Sequence, residues 1–158
     1  MIIIEKAQLK DSVILTRIKT AAYRDEKRRF GPWQVDGEGP DWYIKEWYND
    51  VTETESLIRN FHYYKLIHNT DIVGCFWLRI ADERTIELND FCIHPEHQGK
   101  GYGYKTLLMM ASLFPEKNKW TLGTPFYSVR NQHLYTKAGY IKVGEKANHM
   151  VFLYEKKV

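Results

Sequence analysis

The segment Gln98-Gly99-Lys100-Gly101-Tyr102-Gly103 sets three glycines at alternate positions, directly before a stretch with helical periodicity. Backbone N–H groups in the first turn of a helix have no intrahelical partner, and the helix dipole places partial positive charge there. Glycine turns sharply and lets the backbone approach a ligand with no Cβ in the way, so such a loop suits a phosphate or diphosphate. Lys100 and Lys105 add positive charge beside it. Two nucleotide-binding patterns fail on the letters. G-x-G-x-x-G meets Tyr104 when started at Gly99 and Thr106 when started at Gly101. G-x-x-x-x-G-K-[ST] finds Lys105-Thr106 but meets Tyr104 at its second glycine. Cys92, His94 and His97 are metal-ligand types in close succession, yet Pro95 fixes a turn among them and no second cysteine pair lies nearby, so no metal is expected.

The elements that must position this loop can be read from periodicity. Ile2-Ile3-Ile4 predicts a strand, and Asp11-Ser12 offers N-cap chemistry for a helix with Ile14, Ile18, Ala21 and Ala22 on one face. Gly31, Pro32, Gly37, Gly39 and Pro40 break regular structure before a short aromatic helix around Trp42 to Tyr48. Tyr63 to His68, Ile72 to Ile80 and Thr85 to Ile93 read as an antiparallel meander with turns at 69–71 and 81–84. After the glycine loop, Tyr104, Leu108 and Ala111 share a helical face with Leu107 and Phe114 alongside, and Pro115 stops the helix. Trp120-Thr121-Leu122 reads as a strand, Asn131 to Ala138 as a helix capped by Gly139, and Tyr140 to Val143 and Met150 to Tyr154 as the last strands. The order β-α-α-β-β-β-α-β-α-β-β predicts an α/β (α+β) fold, a mixed and mostly antiparallel sheet flanked by helices.

At 158 residues and 44% hydrophobic, the chain can bury one substantial core, so a single domain over 1–158 is expected. A net charge of +3 is too small to indicate nucleic acid as a partner. Cys75 and Cys92 sit in apolar stretches and behave as small hydrophobes rather than as a disulfide framework. No apolar run reaches the roughly 18 residues of a membrane helix, and no leader precedes the first strand, so a cytoplasmic location is expected with no membrane partner.

Gln98-x-x-Gly101-x-Gly103, directly after the strand Glu87-Leu88-Asn89-Asp90-Phe91-Cys92-Ile93 and the turn His94-Pro95-Glu96-His97, resembles motif A of the GCN5-related N-acetyltransferase (GNAT) superfamily. Asn131-Gln132-His133-Leu134-Tyr135-Thr136-Lys137-Ala138-Gly139-Tyr140 resembles that family's later segment of Asn, Leu-Tyr, a basic residue and Gly before an aromatic. Residues 23–60 match nothing specific.

The resemblance implies a GNAT-like fold and an N-acetyltransferase that passes acetyl from acetyl-CoA, its co-substrate, to a primary amine in a ternary complex. The backbone of Phe91, Cys92 and Ile93 would pair with the pantetheine arm like an added strand, and Gln98, Gly99, Lys100, Gly101, Tyr102, Gly103 and Tyr104 would hold the pyrophosphate. Asn131 would bond the arm or serve as a helix cap, and Lys137 would reach a CoA phosphate or stand exposed. Tyr135 would protonate the departing thiolate, or pack beside Gly139. Glu87, eleven residues before Gln98, sits where histone-type members place a general base; Asp90, His94 and His97 are weaker candidates. Trp33, Trp42, Tyr43, Trp47 and Tyr48, with Asp36, Glu38 or Asp41, could form an acceptor pocket for a cationic amine or belong to the core. The acceptor is either a small molecule or a peptide or protein amine, and a homodimer is allowed. The alternative reading is a non-catalytic acyl-CoA-binding sensor module.

Overall fold

The computed structural model describes residues 1–31 and 46–158. The elements are β1 (Ile2–Lys6), α1 (Ser12–Phe30), α2 (Val51–Asn60), β2 (His62–His68), β3 (Asp71–Ile80), β4 (Thr85–Ile93), α3 (Tyr102–Met110), β5 (Lys119–Pro125), α4 (Val129–Lys137), β6 (Ile141–Lys146) and β7 (Val151–Lys157). Seven strands form one sheet in the order β1-β2-β3-β4-β5-β7-β6. Every pairing is antiparallel except β4 with β5, where α3 supplies the crossover a parallel connection needs.

Two apolar cores cover the two faces. Leu15, Ile18 and Ala22 of α1 and Leu57 of α2 pack with Tyr63, Cys75 and Cys92 on one face. Leu107 and Met110 of α3 and Tyr135 of α4 pack with Phe76, Leu78, Ile86, Leu88, Trp120 and Leu122 on the other. The alternation along each strand sends successive side chains to opposite faces, which is how one sheet serves both cores.

Two expectations are corrected here. The buried stripe of α1 runs through Leu15, Ile18, Lys19, Ala22 and Glu26, while Ile14 is exposed and Ala21 only half-buried. Two buried polar residues sit inside that stripe and disguise its phase. Asp11 does not cap α1 through its side chain; its carboxylate accepts from the Gln8 N–H at 2.8 Å and pairs with Lys65 Nζ at 2.9 Å. Val51–Asn60 forms a helix capped by Asp50 Oδ1, which accepts from the Thr52 N–H at 2.9 Å, and Trp47–Asn49 forms a 3-10 turn before it, while the rest of the short helix expected around Trp42 to Tyr48 lies outside the described residues. Trp33, Asp36, Glu38, Asp41, Trp42 and Tyr43 lie outside the described residues.

Candidate active site

The site arises where β4 and β5 part. Their parallel pairing covers only Thr85 to Leu88 against Lys119 to Leu122. Beyond it β4 continues through Asn89–Ile93 bonded to β3 alone, while Gly123, Thr124 and Pro125 stay paired with β7. An extra residue in β4 accompanies the departure: Cys75 faces Cys92 and Trp77 faces Asn89, two steps on β3 against three on β4. Asp90 carries the bulge at φ 47°, a left-handed conformation that aspartate tolerates better than most residues. Its carboxylate is held on both oxygens, by the Tyr23 hydroxyl at 2.6 Å and by Trp77 Nε1–H at 2.7 Å.

The gap opens into a cavity of about 410 Å³ lined from both strands, from the glycine loop, and from α1 and α4. Phe91, Cys92, Ile93, Gln98, Gly99, Gly101, Tyr102, Gly103, Tyr104, Asn131, Tyr135 and Lys137 all contribute, so eleven residues expected to touch a cofactor meet Tyr135 in one place. Lys100 is exposed and is not part of the lining. Gly99 and Gly101 have φ of 76° and 82°, and a Cβ on either would meet nothing within 4 Å. The glycines are therefore required for backbone conformation, and the space beside them is free for a ligand. Gly101 precedes α3, whose first N–H groups are without intrahelical partners, as an anion site requires. The cradle, the open strand edge and the cavity volume fit an acyl-CoA whose arm adds to β4 and whose diphosphate meets the loop.

Gln98 secures this loop. Its Nε2 donates to the Ile93 carbonyl at 2.8 Å, and its Oε1 accepts from Arg130 Nη1 at 2.6 Å. Arg130 in turn pairs with Glu26 Oε2 at 2.7 Å, so α1, β4, the loop and α4 share one polar chain. Glu26, Arg130 and the Tyr23–Asp90 pair were not singled out by spacing. A signal existed for Glu26, because a carboxylate at i+4 from Ala22 continues the stripe of Leu15, Ile18 and Ala22.

Tyr135 is buried and lines the cavity. Burial first, then the neighbouring Cys92, Tyr140 and Glu26, push its phenol well above the ordinary range, so it stays protonated at neutral pH. Asn131 stands in the first turn of α4 rather than at its cap, which is Ser128. Lys137 Nζ lies 4.3 Å from the centre of the Tyr104 ring. Glu87 is not among the lining residues. Its carboxylate binds Arg79 at 3.3 and 2.9 Å and accepts from Asn89 Nδ2 at 3.0 Å. Burial raises its pKa, but the bonds to Arg79 and Asn89 outweigh that and hold it below the usual carboxylate range. The Cys92 thiol faces Cys75 and is pushed far up by that contact and by burial, so it is no nucleophile. His94 Nδ1 accepts from the Glu96 N–H at 3.2 Å, and His97 lines the cavity with Nδ1 buried and unpartnered. Among the described residues no group of three or more His, Cys, Asp or Glu could hold a metal ion, and no helix is long and apolar enough to cross a membrane.

A mixed sheet split beside a glycine-loop helix, with a protonated tyrosine in the split, defines an enzyme that transfers an acyl group from an acyl-CoA thioester. The model of the Acetyltransferase (GNAT) family matches residues 20–140, and the chain belongs to that family. It is an acetyl-CoA-dependent N-acetyltransferase. No curated protein matches the sequence significantly. Among solved structures, the PaiA N-acetyltransferase of Thermoplasma acidophilum in complex with coenzyme A is similar over 100% of this chain and 99% of its own, with 19% identity and a TM-score of 0.80. An acetyltransferase of Thermus thermophilus covers 100% and 97%, with 14% identity and a TM-score of 0.76. A spermidine N-acetyltransferase of Vibrio cholerae in complex with CoA and spermine covers 99% and 95%, with 13% identity and a TM-score of 0.70. At these identities the likeness establishes the shared fold.

Proposed function

We propose that the enzyme transfers acetyl directly to a cationic primary amine, with amine and acetyl-CoA bound together and no acetyl-enzyme intermediate. The observation that carries this is the open edge of β4 running into the glycine loop, with Tyr135 in the same cavity. A backbone N–H on the open half of β4 would polarise the thioester carbonyl as negative charge develops on its oxygen. Tyr135 would give its proton to the departing CoA thiolate; its raised pKa keeps that proton available. The buried thiol of Cys92, its pKa pushed up, supports direct attack over transfer through that cysteine. Asp90 and Glu26 give the cavity two carboxylates, and the similar proteins named for spermidine act on an amine of matching charge. Glu87 would have to give up Arg79 to receive a proton, so we do not assign the base to it.

The test is isothermal titration with acetyl-CoA, wild type beside Gly101→Glu. The variant forces a side chain into a left-handed φ of 82° and sets a negative charge against the diphosphate. Saturable binding by the wild type and its loss in the variant is the expected result. Absence of binding by the wild type refutes the proposal.

A further inference from the structure

Direct transfer, on which this inference rests, demands that an ammonium with a pKa near ~10.4 lose a proton before it can attack. Among the carboxylates reached by the cavity, Asp90 has both oxygens engaged by Tyr23 and Trp77. Glu26 differs. Its side chain is only 9% exposed and lines the cavity, and Arg130 fixes Oε2 at 2.7 Å. The Ser128 hydroxyl lies close enough to lower the pKa of Glu26, and beyond that contact Oε1 and the Ser128 hydroxyl are buried with no hydrogen-bond partner among the described residues. A buried carboxylate oxygen with nothing but one neighbouring hydroxyl beside it is costly unless something else uses it.

We propose that Glu26 is the proton acceptor of the reaction: Oε1 takes the proton from the bound ammonium in the cavity that Tyr135 also lines, while Arg130 holds the other oxygen in place. The neutral amine then attacks the acetyl carbon, a C–N bond forms and the C–S bond breaks. The thiolate takes the Tyr135 proton, the nitrogen gives its surplus proton back to the tyrosine, and Glu26 releases its own to water. The sum is amide, CoA thiol and one proton. The groups that act on Glu26 are Arg130 and Tyr135 from α4, Ser128 before it and Arg29 on its own helix; Tyr23 of that helix, Asp90 and Cys92 of β4, His97 from the turn before the loop, Tyr102 and Tyr104 of α3, Tyr127, and Lys137 of α4 line the same cavity. Burial raises the pKa of Glu26 and Arg130 offsets only part of that, as suits a base that must hold a proton briefly. Activity requiring the carboxylate therefore rises with pH through a value above that of an ordinary glutamate, about 4.3.

The experiment measures acetyl-CoA affinity, and acetyl transfer to butylamine, spermidine and a short peptide with a free N-terminus, for wild type, Glu26→Gln and Glu26→Asp. For the amine the wild type uses best, Glu26→Gln should lower kcat about 10²-fold and erase the acid limb of the pH profile, leaving acetyl-CoA affinity within about twofold. Glu26→Asp should recover part of the rate with the limb intact, and trifluoroethylamine, largely neutral in the assay, should be spared most of the loss. A glutamine variant that keeps rate and limb overturns the assignment. One that loses acetyl-CoA binding together with rate also overturns it, showing that Glu26 acts only through Arg130 and Gln98. A wild type that binds acetyl-CoA but acetylates none of the amines overturns direct transfer itself, and the role of Glu26 with it.

Discussion

Strand β4 passes from a closed half to an open one within nine residues. Over Thr85 to Leu88 it has partners on both edges, Ile86 and Leu88 are buried, and the exposed-face Glu87 is matched by Arg79. Over Asn89 to Ile93 it keeps β3 and has left β5. Around the open half, His97 Nδ1 is buried without a partner, Glu26 Oε1 and Ser128 Oγ are buried with only each other at hand, and all three residues line the cavity. One extra residue at Asp90 thus accompanies the parting of β4 from β5 and the opening of the cavity between them. On the proposed mechanism the closed half holds the molecule together and the open half does its chemistry.

That division can be broken by experiment. Trp120, 1% exposed and opposite Ile86 in the closed half, should report on stability alone. Trp120→Ala is expected to cost about 4 kcal/mol in urea unfolding, with acetyl-CoA affinity of the folded protein little changed. A parallel collapse of affinity would mean that the halves are not separable. Tyr135→Phe belongs to the open half and should lower turnover by about 10²-fold, close to 2.7 kcal/mol, with acetyl-CoA affinity near wild type. Unchanged turnover would remove the phenol from the mechanism. Asp90→Asn sharpens the comparison with the smallest effect. Asparagine also accepts a left-handed φ, and the Tyr23 hydroxyl can reverse to accept from the new amide. Stability should hold, while KM for a cationic amine rises about tenfold, near 1.4 kcal/mol, from the lost charge. A fall in melting temperature without a change in KM would assign Asp90 to the bulge rather than to the substrate.

Legibility in the sequence followed the range of the forces involved. The glycine loop could be read because a left-handed φ at Gly99 and Gly101 is a local demand that leaves its mark in the letters. Val51–Asn60 was hidden by the aromatic run before it, although Asp50, with Glu53 three residues on, carried an N-cap signal. In α1, buried Lys19 and Glu26 obscured the phase that Leu15, Ile18 and Ala22 set.

By itself the sequence determined the order of strands and helices, the glycine loop and the family to which these belong, because periodicity and backbone conformation act between near neighbours. Only the tertiary structure decided where the sheet splits, that Arg79 occupies Glu87, and that Glu26 of α1 meets Arg130 of α4 beside Tyr135. Those facts join residues as far as 104 positions apart, and a contact at that distance exists only once the whole sheet has chosen its register.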